Sequence, residues 1–288
     1  MRLRGTCSPL AEAINLCVSS LTVESSERSS EDFVKSATAI VEAAERQKII
    51  VRIMGAIAFR IHTPGLADLH KRLSRLGKAS AEFTDLDLVT YGKFSSKLEP
   101  FFSEIGYPAD ENAKYQVHLW AQRQFYNDRS GRLHIDVFLD KLEMSHTIDF
   151  KGRLELDSPT IPLAELLLEK TQIVQINEKD IKDATILLLG HKIGNDDADR
   201  INGKYIGSLL AGDWGLWYTT TMNLDKIRAF SSKYDQLSEK EKLDVGQKID
   251  VLRKCIDDEP KGTKWKLRAR IGPTRKWYRD VEERYGTE

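Results

Sequence analysis

Apolar positions along the chain follow two periods, and the changes of period mark its elements. Behind Ser30, Glu31 and Asp32, the residues Phe33, Ala37, Ile40, Val41 and Ala44 recur every three or four positions. That spacing predicts an amphipathic helix with Ser30 as its N-cap and acids in its first turn. Ile49-Ile50-Val51-Arg52-Ile53-Met54 is a short apolar run rich in β-branched residues and predicts a buried strand. It passes directly into Gly55-Ala56-Ile57-Ala58-Phe59-Arg60-Ile61-His62, which predicts a helix. Leu66, Leu69, Leu73 and Leu76, interleaved with Lys71, Arg72 and Arg75, predict another over 66–76.

Period two then takes over. Residues 84–90 read as a strand and 97–105 as a helix that stops before Gly106. Segments 115–126 and 132–139 read as strands joined through the turn-rich Asn127-Asp128-Arg129-Ser130-Gly131. In the second of these His134, Asp136, Phe138 and Asp140 share one face, and Ile135, Val137 and Leu139 the other. After Asp149 the pattern turns helical. Pro162 opens a helix over 163–171, another spans 178–189, and a long one spans 239–257 with Leu243, Ile249, Leu252 and Ile256 as its buried side. No internal repeat is visible. The prediction is an α+β chain in three parts: a loosely attached N-terminal segment over 1–30, a sheet-bearing core over 31–156, and a helical region over 157–288. Within the first part 9–21 suits a helix and 22–30 is a Ser- and Glu-rich linker.

Composition narrows the function classes. A chain of 288 residues can bury a sizeable core, and 44 basic against 44 acidic residues leave no global field to draw it to DNA or an anionic membrane. Cys7, Cys17 and Cys255 are odd in number, far apart and without metal-ligand spacing, which fits a reducing compartment. Glu12 and Asn15 interrupt any signal-peptide core behind Met1-Arg2-Leu3-Arg4. No apolar run reaches the roughly 18 residues of a membrane helix. A cytoplasmic location is expected.

The chemistry concentrates in carboxylates. Phe83-Thr84-Asp85-Leu86-Asp87-Leu88-Val89 places two acids on one face of a strand, and His134-Ile135-Asp136-Val137-Phe138-Leu139 supplies a third. Such a set suits hard divalent cations, and two ions so held clamp the oxygens of a phosphoryl-transfer reaction. Asp-x-Asp at a strand end is also a common solvated turn. Gly55, at a strand-to-helix junction, lets backbone approach a phosphate at the start of a helix.

Gly55-Ala56 after one strand, Asp85-x-Asp87 on a second and Asp136 on a third resemble, in that order, the DNA polymerase β-type nucleotidyltransferase superfamily. Within it the chain is most similar to stand-alone prokaryotic members, which include aminoglycoside and lincosamide nucleotidyltransferases and abortive-infection type toxins. Leu166-Leu167-Leu168-Glu169-Lys170-Thr171, followed by Lys179-Asp180-Ile181-Lys182-Asp183-Ala184, extends the resemblance over residues 49–189. It implies a mixed β-sheet nucleotidyltransferase core with flanking helices. It also implies Asp85, Asp87 and Asp136 as catalytic ligands of one or two Mg²⁺ ions, with Asp136 nearest to a general base. Gly55 and Ala56 would meet the nucleotide through their backbone, and Lys170 through its ammonium. Relatives usually carry Gly-Gly or Gly-Ser where this chain has Gly55-Ala56, and often an Arg where it has Ala81 and Glu82, the nearest cations being Arg75 and Lys78.

Several residues admit two roles. Asp140 shares the face of Asp136 and competes with it. Lys170 is a phosphate contact or an exposed helix lysine, while Asp180 and Asp183 either support it or pair with Lys179 and Lys182. Arg60 and His62 either face the nucleotide or are solvated, and Trp214 and Trp217 build core or an acceptor pocket. Over 261–279 eight Lys and Arg residues occur with no acid, interleaved with Trp265, Trp277 and Tyr278. That tail either contacts RNA or is anchored by its tryptophans. The expectation is a nucleotidyltransferase moving an NMP from an NTP such as ATP to a hydroxyl of a small molecule, protein or RNA, with release of pyrophosphate. The alternative is a catalytically silent nucleotide- or RNA-binding module, or a toxin–antitoxin component, on the same fold.

Overall fold

The computed structural model describes residues 29–73, 83, 85–110, 123–128 and 133–281. The predicted helix over 9–21, the linker, Cys7 and Cys17, the stretch from Arg75 to Glu82, and most of the strand over 115–126 lie outside them.

Helix α1 (Ser30–Arg46) buries Phe33, Ala37, Ile40, Val41 and Ala44, the face its periodicity predicts. The N-cap is Ser29 rather than Ser30, because Ser29 forms a reciprocal capping box with Asp32. Strand β1 (Val51–Met54) runs straight into helix α2 (Gly55–His62). After a 3₁₀ turn at Pro64–Leu66 comes α3 (Ala67–Leu73). Strand β2 (Asp85–Thr90), helix α4 (Ser95–Glu104), and strands β3 (Arg123–Asn127) and β4 (His134–Leu139) complete a four-stranded sheet of order β1-β2-β4-β3. The sheet is mixed: β1 and β3 are antiparallel to their neighbours, while β2 and β4 run parallel. A parallel pair needs a crossover, and α4 lies within the connection.

Leu86, Leu88, Ile135 and Val137 point to one face of the sheet and are buried there. The opposite face at the same level carries the carboxylates. A hairpin of β5 (Lys141–Glu143) and β6 (Thr147–Asp149) comes next, and the extended segment at Pro159–Ile161 then exchanges backbone hydrogen bonds with Ile53 on β1.

The remaining chain is mainly helical: α5 (Leu163–Thr171), α6 (Glu178–Gly190), α7 (Gly203–Gly212), α8 (Trp214–Ser231), α9 (Glu239–Asp258) and α10 (Thr263–Ile271), with the short parallel pair β7 (Lys192–Gly194) and β8 (Arg200–Asn202) after α6. The architecture is therefore α+β, a mixed sheet with flanking helices and then a helical region. On α9 the buried face is Val245, Ile249, Leu252 and Ile256. Leu243 stands 63% exposed. It lies two residues from Val245, and two steps of 100° carry it to the far side of the helix. Among the described residues no helix is long and apolar enough to cross a membrane.

One buried ionic cluster ties the sheet region to the helices. Arg153, after β6, bonds both carboxylate oxygens of Glu165 on α5 and both of Asp197, and lies 3.8 Å above the Tyr205 ring of α7. Glu165 is fully buried. Removing one partner of such a pair leaves a charge desolvated, which costs far more than the intact pair contributes. Glu165→Ala should therefore lower the unfolding free energy by roughly 3–5 kcal/mol in denaturant titrations. A loss below about 1 kcal/mol would show that water replaces the carboxylate.

Candidate functional site

The parallel register between β2 and β4 sets Asp87 directly beside Asp136 and Asp85 beside His134. Adjacent strands lie about 4.8 Å apart, so the first two carboxylates are lateral neighbours, and Asp85 sits two residues along the same face. The structure thus brings the three predicted acids to one side of the sheet. Asp85 is exposed, and Asp87 and Asp136 are half-buried. Burial, then the like charges of Asp85, Asp136 and Glu169, hold the Asp87 carboxyl well above the ordinary carboxylate range, with Lys170 acting in the opposite sense. Among the described residues no three His, Cys, Asp or Glu side chains form a ready metal-holding group. As a donor set, acidic oxygens that repel one another fit a hard divalent cation, with Asp85 and Asp136 both acting on Asp87.

Gly55 closes the site against β1. Its φ of 66° is left-handed, and a Cβ there would lie 2.4 Å from Asp87 Oδ2. Only glycine meets both conditions without displacement. Its N–H, at the start of α2, donates to Glu169 Oε2 of α5 at 3.0 Å, and α2 has no side-chain N-cap bond. Ala56 is half-buried against the hydrophobic core.

Lys170 is buried rather than exposed, among acids and an aromatic ring. Its Nζ lies 3.2 Å from Glu169, 3.0 Å from Asp180 and 3.5 Å from Asp183, and 5.4 Å above the Phe59 ring. Asp180 and Asp183 thus serve Lys170, while Lys182 pairs with Glu178 at 2.9 Å. Asp87, Glu169, Lys170 and Asp180 line a cavity of about 360 Å³ that extends past Met54 and Phe138.

The far wall of that cavity is the C-terminal strap Tyr278–Val281. Arg279 fixes it to the β5–β6 hairpin: the backbone N–H donates to the Ser145 carbonyl at 3.0 Å, and the guanidinium reaches the Met144 carbonyl, Glu143 and Thr147. Two tryptophans anchor the preceding stretch of the basic tail to the helices, while Lys264, Lys266 and Arg270 are exposed. Trp277 Nε1 donates to Thr219 at 3.0 Å and Trp265 Nε1 to the Leu210 carbonyl at 3.1 Å. Arg268 lies over Trp214 and donates to the Gly272 and Arg275 carbonyls. Trp214 and Trp217 pack with Tyr218, away from the cavity lining.

Other candidates fall elsewhere. Asp140 ends β4 in a left-handed turn (φ 60°) and accepts the Gly92 N–H at 2.9 Å, so it does not continue the face of Asp136. His62 points at Thr160 (2.6 Å) and Asp157 (3.5 Å), and its carbonyl accepts from His191. Two participants do not stand out in the sequence. Glu169 reads as part of an apolar helix end, though an acid within Leu-Leu-Leu-Glu-Lys is itself a signal of a buried partner. Arg279 leaves no local signal, because its role depends on the chain returning to a hairpin more than 130 residues earlier.

No family model matches the chain, and no curated protein matches it. Among solved structures it is similar to the antibiotic-resistance factor ANT(2'')-Ia, known from a solution structure, at 15% identity and a TM-score of 0.33 over 54% of this chain and 81% of that one. At that distance the likeness carries no argument about function, which the geometry of the site has to supply.

The close fit of Gly55 against Asp87 can be tested by substitution. Gly55→Ala should destabilise the protein by more than about 1 kcal/mol, since a positive φ and a collision with Asp87 add; an unchanged midpoint in urea would contradict it. Burial and then His191 hold His62 near pKa 4, below its ordinary 6.5. The unfolded chain therefore takes up a proton near pH 6.5 that the folded chain refuses until about pH 4. Stability is complete above that window and falls through it as pH drops, by roughly 3 kcal/mol from this group alone. Denaturation of His62→Gln beside the parent at pH 7 and 4.5 checks this, the variant losing less on acidification. His146, held near 4 by burial and Arg279, adds to the same acid limb.

Proposed function

We propose that the protein is a metal-dependent nucleotidyltransferase that moves an NMP from an NTP to a hydroxyl acceptor and releases pyrophosphate. The observation that carries this reading is the cross-strand pair Asp87 and Asp136, of which Asp87 lies against the Gly55 turn and lines one cavity with Lys170. Asp85, Asp87 and Asp136 would hold one or two Mg²⁺ ions. Mg²⁺ so bound supplies charge neutralisation at the triphosphate. Asp136 would take the proton of the acceptor hydroxyl as its oxygen bonds to the α-phosphorus and the bond to the β-phosphate oxygen breaks. Lys170 and the N-terminus of α2 would receive phosphate oxygens. The cavity beyond Phe138, walled by Leu142, Met144 and the strap, would seat the acceptor.

A catalytically silent nucleotide-binding module is the second reading. Glu169 favours it, since its carboxylate already engages both Gly55 and Lys170. RNA stays among the candidate acceptors: Arg268, Trp265 and Trp277 hydrogen-bond the protein itself, while Lys264, Lys266 and Arg270 of the same tail are exposed.

Incubation with Mg²⁺ and each α-labelled NTP should yield pyrophosphate and labelled acceptor or protein. Asp87→Asn and Asp136→Asn should each reduce the yield roughly 10²-fold or more. Equal turnover in the variants, or NTP binding without turnover in the parent across small-molecule, protein and RNA acceptors, would favour the silent module.

A further inference from the structure

Glu169 holds both donors that a nucleotide phosphate would use. One carboxylate oxygen accepts the Gly55 N–H at 3.0 Å, and the other lies 3.2 Å from Lys170 Nζ. The two groups come from different elements, the start of α2 and the end of α5, and a single planar anion bridges them. The carboxylate lines the same cavity as Asp87 and is buried. Its span between an N-terminal helix N–H and a compact ammonium is the arrangement that binds phosphate oxygens.

We infer that Glu169 is a built-in competitor for the triphosphate: it occupies the phosphate position and must leave Gly55 and Lys170 before a nucleotide can bind. The inference rests on the nucleotidyltransferase reading and adds regulation to that site. The alternative role for the same contact is a permanent tether holding the β1–α2 turn. The two differ in sign. A tether, when weakened, loosens the turn and reduces phosphate affinity. A competitor, when weakened, frees two donors and raises it. Charge-assisted hydrogen bonds are the strong ones, so the contrast is measurable. Three further anions surround the exchange. Asp180 and Asp183 keep Lys170 oriented once Glu169 departs, and Asp87 adds a further acid on the other side of the Gly55 turn. Glu169 is therefore the carboxylate that stands between an arriving anion and both donors.

Calorimetric titration with tripolyphosphate and with ATP, each with Mg²⁺, separates the cases in the parent, Glu169→Gln, Glu169→Ala and Asp87→Asn. The competitor predicts roughly tenfold tighter binding in Glu169→Gln and at least as much in Glu169→Ala, both variants melting cooperatively. It also predicts that the Gly55 amide resonance of the parent shifts on ligand addition toward its position in Glu169→Gln. Affinity unchanged or weakened in a folded Glu169→Gln, with the parent still binding, would overturn the competitor and leave the nucleotidyltransferase reading standing. Absence of binding in the parent and every variant would overturn both.

Discussion

Like charge gathered on one face of a small sheet governs how the rest of this molecule is arranged. Parallel pairing of β2 with β4 sets Asp87 beside Asp136, and neither acid lies far enough into solvent for water to screen the pair fully. Every neighbouring element answers that repulsion or works around it. Gly55 gives up a side chain so that Asp87 has room. Lys170 is buried to supply one positive charge, and Asp180 and Asp183 hold it in place. Acids gathered in this way carry desolvation and repulsion, which protonation of Asp87 or a bound cation relieves.

The helical region therefore contributes side chains to the candidate site as well as supporting it. Helix α5 delivers Glu169 and Lys170, and α6 delivers their partners. The strap after α10 crosses back to the β5–β6 hairpin and closes the cavity through Arg279. The Arg153–Glu165–Asp197 cluster holds the first turn of α5, and the Glu169–Lys170 end of that helix lies against Gly55 and Phe59 of α2. Chemistry and architecture meet on one helix: its first turn is held by a buried ion pair and its last turn faces the acids.

Much of this is legible in the chain. The apolar face of α1, the strand–Gly–helix unit and the alternation in β2 and β4 follow from local periodicity, because side-chain direction repeats every 3.6 or 2 residues whatever the tertiary context. Asp85 and Asp87 share a face for the same reason, and Asp136 joins them through the cross-strand register. Register is not legible: nothing local says that Asp87 aligns with Asp136 rather than with His134. The burial of Lys170 and the bridging by Glu169 are equally hidden, since both depend on which helix packs against α2. Leu243 shows the limit of counting apolar residues on a charged helix. The face is set by the run Val245, Ile249, Leu252 and Ile256, and one leucine outside it stays in water.

A cation site formed by the acids of β2 and β4 and completed by a nucleotide would reveal itself in a titration with Mn²⁺ read by electron paramagnetic resonance, with and without ATP. One or two ions should bind per chain in the presence of ATP, and this binding should be lost in Asp87→Asn and in Asp136→Asn while both variants remain folded. Mn²⁺ binding that is absent with ATP, or identical in the parent and both variants, would contradict such a site.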